Sequence, residues 1–113
     1  MLTKEQILGA KDLQTRKVEV PEWGGAVYVR PLSSRDRDKY EAEISAGGQA
    51  SFENIRARLG VCCICDESGT LLFTAEDAAE LGKKAAGPMQ KVFNVIMEVN
   101  GFTESDVDEL AKN

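Results

Sequence analysis

Three cysteines, Cys62, Cys63 and Cys65, lie within four residues of one another and are the side chains best suited to covalent or metal chemistry. Cys62 and Cys65 have the spacing of a redox pair, which needs a helix N-terminus or a nearby cation to form a thiolate. Here they end an apolar run and precede Asp66 and Glu67, whose charges raise a thiol pKa. Because an odd, clustered count does not form a disulfide framework, we interpret all three as small buried residues in a reducing compartment.

Paired carboxylates are the second candidate for chemistry. Glu76 with Asp77 and Asp108 with Glu109 are neighbours in sequence, so on a helix their side chains diverge instead of facing one substrate. The sequence contains no histidine, which removes the commonest general base and metal ligand. It also lacks a nucleophile elbow, a Walker loop and a dinucleotide-binding glycine motif. The sequence therefore predicts a protein that is not an enzyme and uses no cofactor or metal.

Charge is distributed unevenly along the 113 residues, whose formal net charge is −5. Residues 1–46 carry eight basic and eight acidic side chains, whereas residues 47–113 carry six basic and eleven acidic ones. A negative net charge is the wrong sign for a dedicated nucleic-acid binder. The sequence also contains no basic amphipathic helix of the kind that binds a membrane surface. The acidic half either is an ordinary solvated surface or meets a protein partner.

Composition indicates a chain that folds without metals or disulfides. Leu, Ile, Val and Phe make up about 24% of the residues, above the roughly 20% below which disorder is expected. The length predicts one domain over residues 1–113. We expect neither a signal peptide at the N-terminus nor a transmembrane segment, since no apolar run is long enough to span a bilayer.

The N-terminal third contains a predicted hairpin. Thr3 and Gln6 form a capping-box pattern for a short helix over residues 4–10. Alternating segments at 16–21 and 26–30 flank Gly24 and Gly25, a pattern typical of two antiparallel strands. We expect Trp23 near the turn and four valines facing the helices, namely Val18, Val20, Val27 and Val29. The open strand edge predicts a contribution to self-association.

The remaining residues predict helices. A charged helix over 34–46 is expected to break at Gly47–Gly48, and an amphipathic helix follows over 51–64. After a short extended segment at 70–73, helices are predicted from Thr74 to Leu81, from Gly87 to Asn100 and over 104–111. The helix from Gly87 is the central one, because it carries an apolar stripe of Met89, Val92, Phe93, Ile96 and Met97. The predicted fold is α+β, with an N-terminal β-hairpin packed on four to five α-helices.

Four segments occur in a characteristic order along the chain: Val18–Gly25, Val27–Ser33, Cys65–Asp77 and Val99–Gly101. In this order and at this length, over about residues 2–113, the chain resembles the tail assembly chaperones of long-tailed, lambda-like bacteriophages and prophages (the siphophage type). The resemblance implies a protein of the host bacterial cytoplasm that is not part of the mature virion. It implies two partners, the tape measure protein, which such chaperones hold, and the tail tube protein, which they help to recruit around it.

A second hypothesis comes from another class. A small acidic chain without catalytic motifs also fits a bacterial cytoplasmic regulatory or adaptor module that binds other proteins. The sequence alone leaves both hypotheses open.

The C-terminal segment is the predicted partner-binding site. Members of the resembled family are often made in two lengths by ribosomal frameshifting, and such an extension would continue directly from residues 102–113. A helix this short is marginal unless it packs against something, so we expect it to be frayed in the isolated protein and its deletion to weaken partner binding without unfolding the domain. The predicted partner-binding residues are Phe102, Glu104, Asp106, Val107, Asp108, Glu109 and Leu110.

Overall fold

The computed structural model describes residues 1–52 and 54–102, with the side chains of 47–52 left out. The elements follow one another as α1 (Lys4–Gly9), β1 (Arg16–Val20), β2 (Gly25–Val29), α2 (Ser34–Phe52), α3 (Ile55–Cys63), β3 (Ile64–Cys65), α4 (Ala78–Leu81) and α5 (Ala86–Asn100). The fold is α+β, as predicted. The predicted helix over 104–111 lies outside the described residues.

The predicted hairpin is present and forms part of a three-stranded sheet. β1 and β2 are antiparallel, with Val18 opposite Val27 and Val20 opposite Gly25. The turn between them is a single 3₁₀ turn over Pro21–Trp23, ended by Gly24 at φ 82°, a left-handed conformation that glycine adopts without steric cost. Of the four valines predicted to face the helices, three are buried, Val27 is half-buried, and Trp23 packs against the core.

A third strand was missed by the sequence analysis. β3 pairs antiparallel with β2, placing Tyr28 opposite Cys65 and Val29 opposite Ile64. The helical pattern of the preceding residues continues into Ile64, so periodicity alone does not show where α3 ends. Leu71 then forms an isolated antiparallel bridge with Cys65, in agreement with the extended segment predicted at 70–73.

The predicted break at Gly47–Gly48 is wrong. α2 continues through both glycines to Phe52, and α3 begins at Ile55 instead of near residue 51. A glycine inside a helix costs only about 1 kcal/mol relative to alanine, so it weakens a helix without ending it. The sharp change of direction occurs at Asn54, whose φ is 64°. Asparagine visits this left-handed region more readily than most residues.

Asn54 also connects this corner to α4. Its side-chain amide donates a hydrogen bond of 2.8 Å to the carbonyl of Ala78. Gly82 lies against the same amide so closely that a Cβ atom at this position would overlap it. This contact requires a residue without a side chain at position 82, a requirement that the sequence pattern does not indicate.

α5 is the central helix, as predicted. Its buried residues are Pro88, Met89, Val92, Phe93, Ile96 and Met97. The helix packs mainly against α3 and β1, so the apolar stripe belongs to the core that holds helices and sheet together. Gly101 ends the helix in a left-handed conformation, with φ 67°.

Candidate functional site

The cysteines are placed where nucleophilic chemistry is suppressed. Cys63 and Cys65 are buried, as predicted, whereas Cys62 is only half-buried. Burial raises the pKa of Cys63 to about 12. Burial also raises the pKa of Cys62, with Asp36 and Glu43 adding to the effect. All three thiols therefore stay protonated near neutral pH.

Phe102 is the one predicted partner-binding residue within the described part of the chain. Its backbone N–H donates to the carbonyl of Met97 at 2.9 Å, which continues the cap that Gly101 begins. Its half-buried ring lies under the guanidinium of Arg37, 4.4 Å from the ring centroid. Arg37 is held in turn by Glu41 at 2.8 Å. The start of the C-terminal segment is therefore fixed against α2 by a cation–π contact.

Asn100 strengthens this attachment. Its side-chain oxygen accepts a hydrogen bond of 2.8 Å from the N–H of Leu32, and its amide nitrogen donates to the carbonyl of Ile96 at 2.8 Å. From the sequence, Asn100 was predicted only as the last residue of its helix. In the structure it joins the end of α5 to the loop before α2.

The other predicted partner-binding residues lie outside the described residues. They are Glu104, Asp106, Val107, Asp108, Glu109 and Leu110. They follow Phe102 in the chain, and their proposed role stays a prediction.

A groove that the sequence analysis did not predict lies between α2 and the segment Leu71–Ala75. It encloses about 190 Å³. Its apolar lining comes from α2, α3 and the extended segment, and consists of Tyr40, Val61, Cys62, Leu71, Phe73 and Ala75. We call this feature the α2 groove. Asp36, Lys39 and Glu43 line it from successive turns of α2.

Tyr40 gives the α2 groove its unusual polar feature. The residue is only 5% exposed, and its hydroxyl is buried without a hydrogen-bond partner among the residues that the structure describes. Burial is the largest cause of a strongly raised pKa for this phenol, so the hydroxyl remains a neutral donor. Buried donors normally have acceptors, so this hydroxyl is an exception.

A second buried donor without a partner belongs to Arg30. The side chain donates to the carbonyl of Gly69 at 3.0 Å and approaches Asp36 at 3.9 Å, but its Nε has no partner within the described part of the chain. This arginine connects the end of β2 to the turn after β3 and to the first turn of α2. It partly neutralises the Asp36 carboxylate that lines the α2 groove.

The N-terminal arm, residues 1–15, exposes apolar side chains. α1 has a complete capping box between Thr3 and Gln6 and no buried residue. Leu2 is 66% exposed, Ile7 56% and Leu8 75%. These side chains contribute nothing to the core and present apolar surface to solvent.

The described part of the chain was searched for membrane-spanning helices and for clusters of metal ligands. Among residues 1–52 and 54–102, no helix has both the length and the apolar character needed to cross a membrane. The same part of the chain has no group of three or more cysteine, aspartate or glutamate residues placed to hold a metal ion.

The chain matches a known protein family along most of its length. Residues 2–100 match the family described as phage tail assembly chaperone, TAC. The chain belongs to this family. The matched range includes the N-terminal arm, the sheet, the α2 groove and all of α5. The resemblance inferred from the order of sequence segments is confirmed.

One solved structure shows how the chaperone fold compares. The tail assembly chaperone of bacteriophage HK97 superimposes with a TM-score of 0.61 and covers 84% of this chain and 94% of that one. Identity is 16%, so this likeness is one of fold. No curated protein sequence matches the chain.

Proposed function

We propose that this tail assembly chaperone binds the tape measure protein of its phage and helps to recruit tail tube protein during tail assembly. We further propose that residues 1–113 act as one domain, without enzymatic activity, in the host cytoplasm. The family match over residues 2–100 carries the proposal. It favours this function over the regulatory or adaptor hypothesis, which no observation on the structure supports specifically.

The exposed surface of the N-terminal arm supports a holding function. An elongated helical protein exposes apolar stripes until its own partners cover them, and a chaperone needs apolar surface of its own to shield such stripes. The arm supplies this surface at Leu2, Ile7 and Leu8. The excess of acidic residues elsewhere keeps the complex charged and therefore dispersed in solution.

The C-terminal segment remains our proposed contact for the tape measure protein. Phe102 and Asn100 fix the start of this segment against α2 and the loop before it. The segment that follows carries four carboxylates and one lysine, with Val107 and Leu110 as its apolar residues. Its composition thus offers both charge and apolar contact to a basic amphipathic partner.

Co-purification with the tape measure protein tests this proposal. The full chain is expected to hold tape measure protein when both are co-expressed, and deletion of 103–113 is expected to weaken that capture without lowering the unfolding temperature. A full chain that captures neither tape measure nor tail tube protein would reject the function.

Two variants of unchanged length separate charge from apolar contact. Neutralising Glu104, Asp106, Asp108 and Glu109 as the corresponding amides tests charge, and Val107→Ser with Leu110→Ser tests apolar contact. If both variants and the deletion capture tape measure protein as well as the full chain, the C-terminal segment is not the contact.

A further inference from the structure

β1 is an edge strand of the sheet. The strand order is β1-β2-β3, so β2 occupies one side of β1, and within residues 1–52 and 54–102 no strand lies along the other side. An edge strand presents unpaired N–H and C=O groups, which can pair with a strand from another chain. The edge of β1 is therefore a candidate interaction surface, and the side chains of the strand indicate which partner fits it.

The exposed side chains of β1 are complementary to those of a second β1. The Lys17 and Glu19 side chains are 56% and 67% exposed, and their Nζ and Oε1 atoms lie 3.4 Å apart on the face away from the core. Val18 between them is buried. When two β1 strands run antiparallel with Val18 opposite Val18, Lys17 of each copy lies opposite Glu19 of the other. Opposite charges directly across two strands stabilise the pairing.

The same charges disfavour the alternative registers. A shift by two residues keeps the valines on the core face, but it places Lys17 opposite Lys17 in one direction and Glu19 opposite Glu19 in the other. A parallel, in-register pair brings both like-charge pairs together, which is destabilising. A shift by one residue turns charged side chains of one copy toward the core face of the other. The pattern thus favours a single antiparallel register, with a two-fold axis relating the copies.

We propose that β1 of one chaperone pairs antiparallel with β1 of a second copy through Lys17 and Glu19, which joins the two three-stranded sheets into one. Because residues directly opposite each other point to the same face, the helices of both copies then lie on one side of the joined sheet. The outer strands of this sheet are the two copies of β3, which has only two residues and is bridged at Cys65 by Leu71. The association therefore closes at two copies. It does not depend on which tail protein the chaperone binds.

Reversing the charges tests the pairing. Lys17→Glu alone places two pairs of like charges across the interface, and so does Glu19→Lys alone, whereas the double variant restores both complementary pairs in reversed order. Sedimentation velocity over a range of chain concentrations measures the dissociation constant of the dimer. We expect wild type and the double variant to dimerise similarly, and each single variant to dimerise about tenfold more weakly or worse. Both side chains are exposed, so the unfolding temperature of the monomer should stay unchanged.

A mixture of the two single variants tests the register. In a mixed pair, Lys17→Glu supplies two carboxylates and Glu19→Lys supplies two ammonium groups, so opposite charges meet at both positions. The equimolar mixture should therefore form heterodimers at concentrations where each variant alone is monomeric. High salt should reduce the difference between wild type and the single variants, because it screens exposed charges.

Three results would overturn the proposal. The first is a wild-type chain that stays monomeric at all concentrations measured. The second is self-association that neither single variant weakens, since another surface would then join the copies. The third is weak association of both single variants that mixing does not restore, because Lys17 and Glu19 would then not lie opposite each other. Capture of tape measure protein is measured separately, so these results leave the proposed function untouched.

Discussion

α1 and α5 show opposite relations between local signals and burial. α1 has a complete capping box and no buried residue. α5 has no side-chain hydrogen bond capping its N-terminus, yet it buries six residues and lies at the centre of the core. The better-capped helix is thus the one that buries no residue. Capping stabilises a helix end locally, whereas packing of an apolar face determines which helix stabilises the fold.

The contrast between α1 and α5 also shows two uses of apolar residues. In α5 they are shielded from water by α3 and β1. In the N-terminal arm they remain exposed, although the family match includes them. The body of the chaperone therefore does not need the arm's apolar side chains for its own core, which leaves them available for contact with another protein.

The largest expected effect comes from truncating equivalent side chains on the two helices. Ile96 is 0% exposed and Ile7 is 56% exposed. Ile96→Ala should lower the free energy of unfolding by about 2–5 kcal/mol, because it leaves a cavity in the core. Ile7→Ala should change it by less than about 0.5 kcal/mol. Urea unfolding followed by circular dichroism measures both, and similar losses for the two variants would show that α1 packs on the body.

Much of this contrast could be predicted from the sequence. The apolar spacing of α5 identified Met89, Val92, Phe93, Ile96 and Met97 as a core stripe, and all five are buried. Local chemistry also identified the capping box of α1. Whether an apolar pattern finds a surface to pack on depends on the tertiary arrangement, so local pattern does not predict that Leu2 and Ile7 stay exposed.

The errors have a common physical origin. Gly47 and Gly48 have a poor helix propensity but do not forbid a helix, and the real corner at Asn54 depends on a tertiary hydrogen bond to Ala78. The buried hydroxyl of Tyr40 could not be predicted, because burial and hydrogen bonding depend on the surroundings of a side chain. The α2 groove joins α2 to Leu71–Ala75, more than twenty residues further along the chain, so no local pattern indicates it.

A second prediction concerns alkaline pH and should affect the body of the protein alone. Burial raises the pKa of Cys63 from 9.0 to about 12. The folded state therefore holds this proton more tightly than the unfolded chain does. The resulting stability is complete below about pH 9 and is lost as the pH rises toward 12, by about 1.4 kcal/mol for each pH unit. Urea midpoints measured across this range should fall steadily.

Cys63→Ala is the control for this titration. It should cost about 1 kcal/mol at neutral pH, through a small loss of buried volume, and should make the alkaline decline less steep. Burial also raises the pKa of Cys62, Cys65 and Tyr40, so these groups add to the decline in both proteins. An equally steep decline in the alanine variant between pH 9 and 10 would show that Cys63 does not cause it.

The smallest expected effect comes from removing one hydrogen bond from each of the two capping boxes, at matched positions. Gln6 accepts a hydrogen bond of 2.9 Å from the N–H of Thr3 in the arm, and Asp77 accepts one of 2.8 Å from the N–H of Thr74 beside the core. Asp77→Ala should lower the free energy of unfolding by about 1 kcal/mol, because the turn that it caps leads into α4. Gln6→Ala removes the equivalent bond from a helix that has no buried residue. It should reduce the helical signal of the arm while the urea midpoint of the body stays unchanged. Equal shifts of the midpoint would mean that the arm unfolds together with the body, and the distinction between them would not hold.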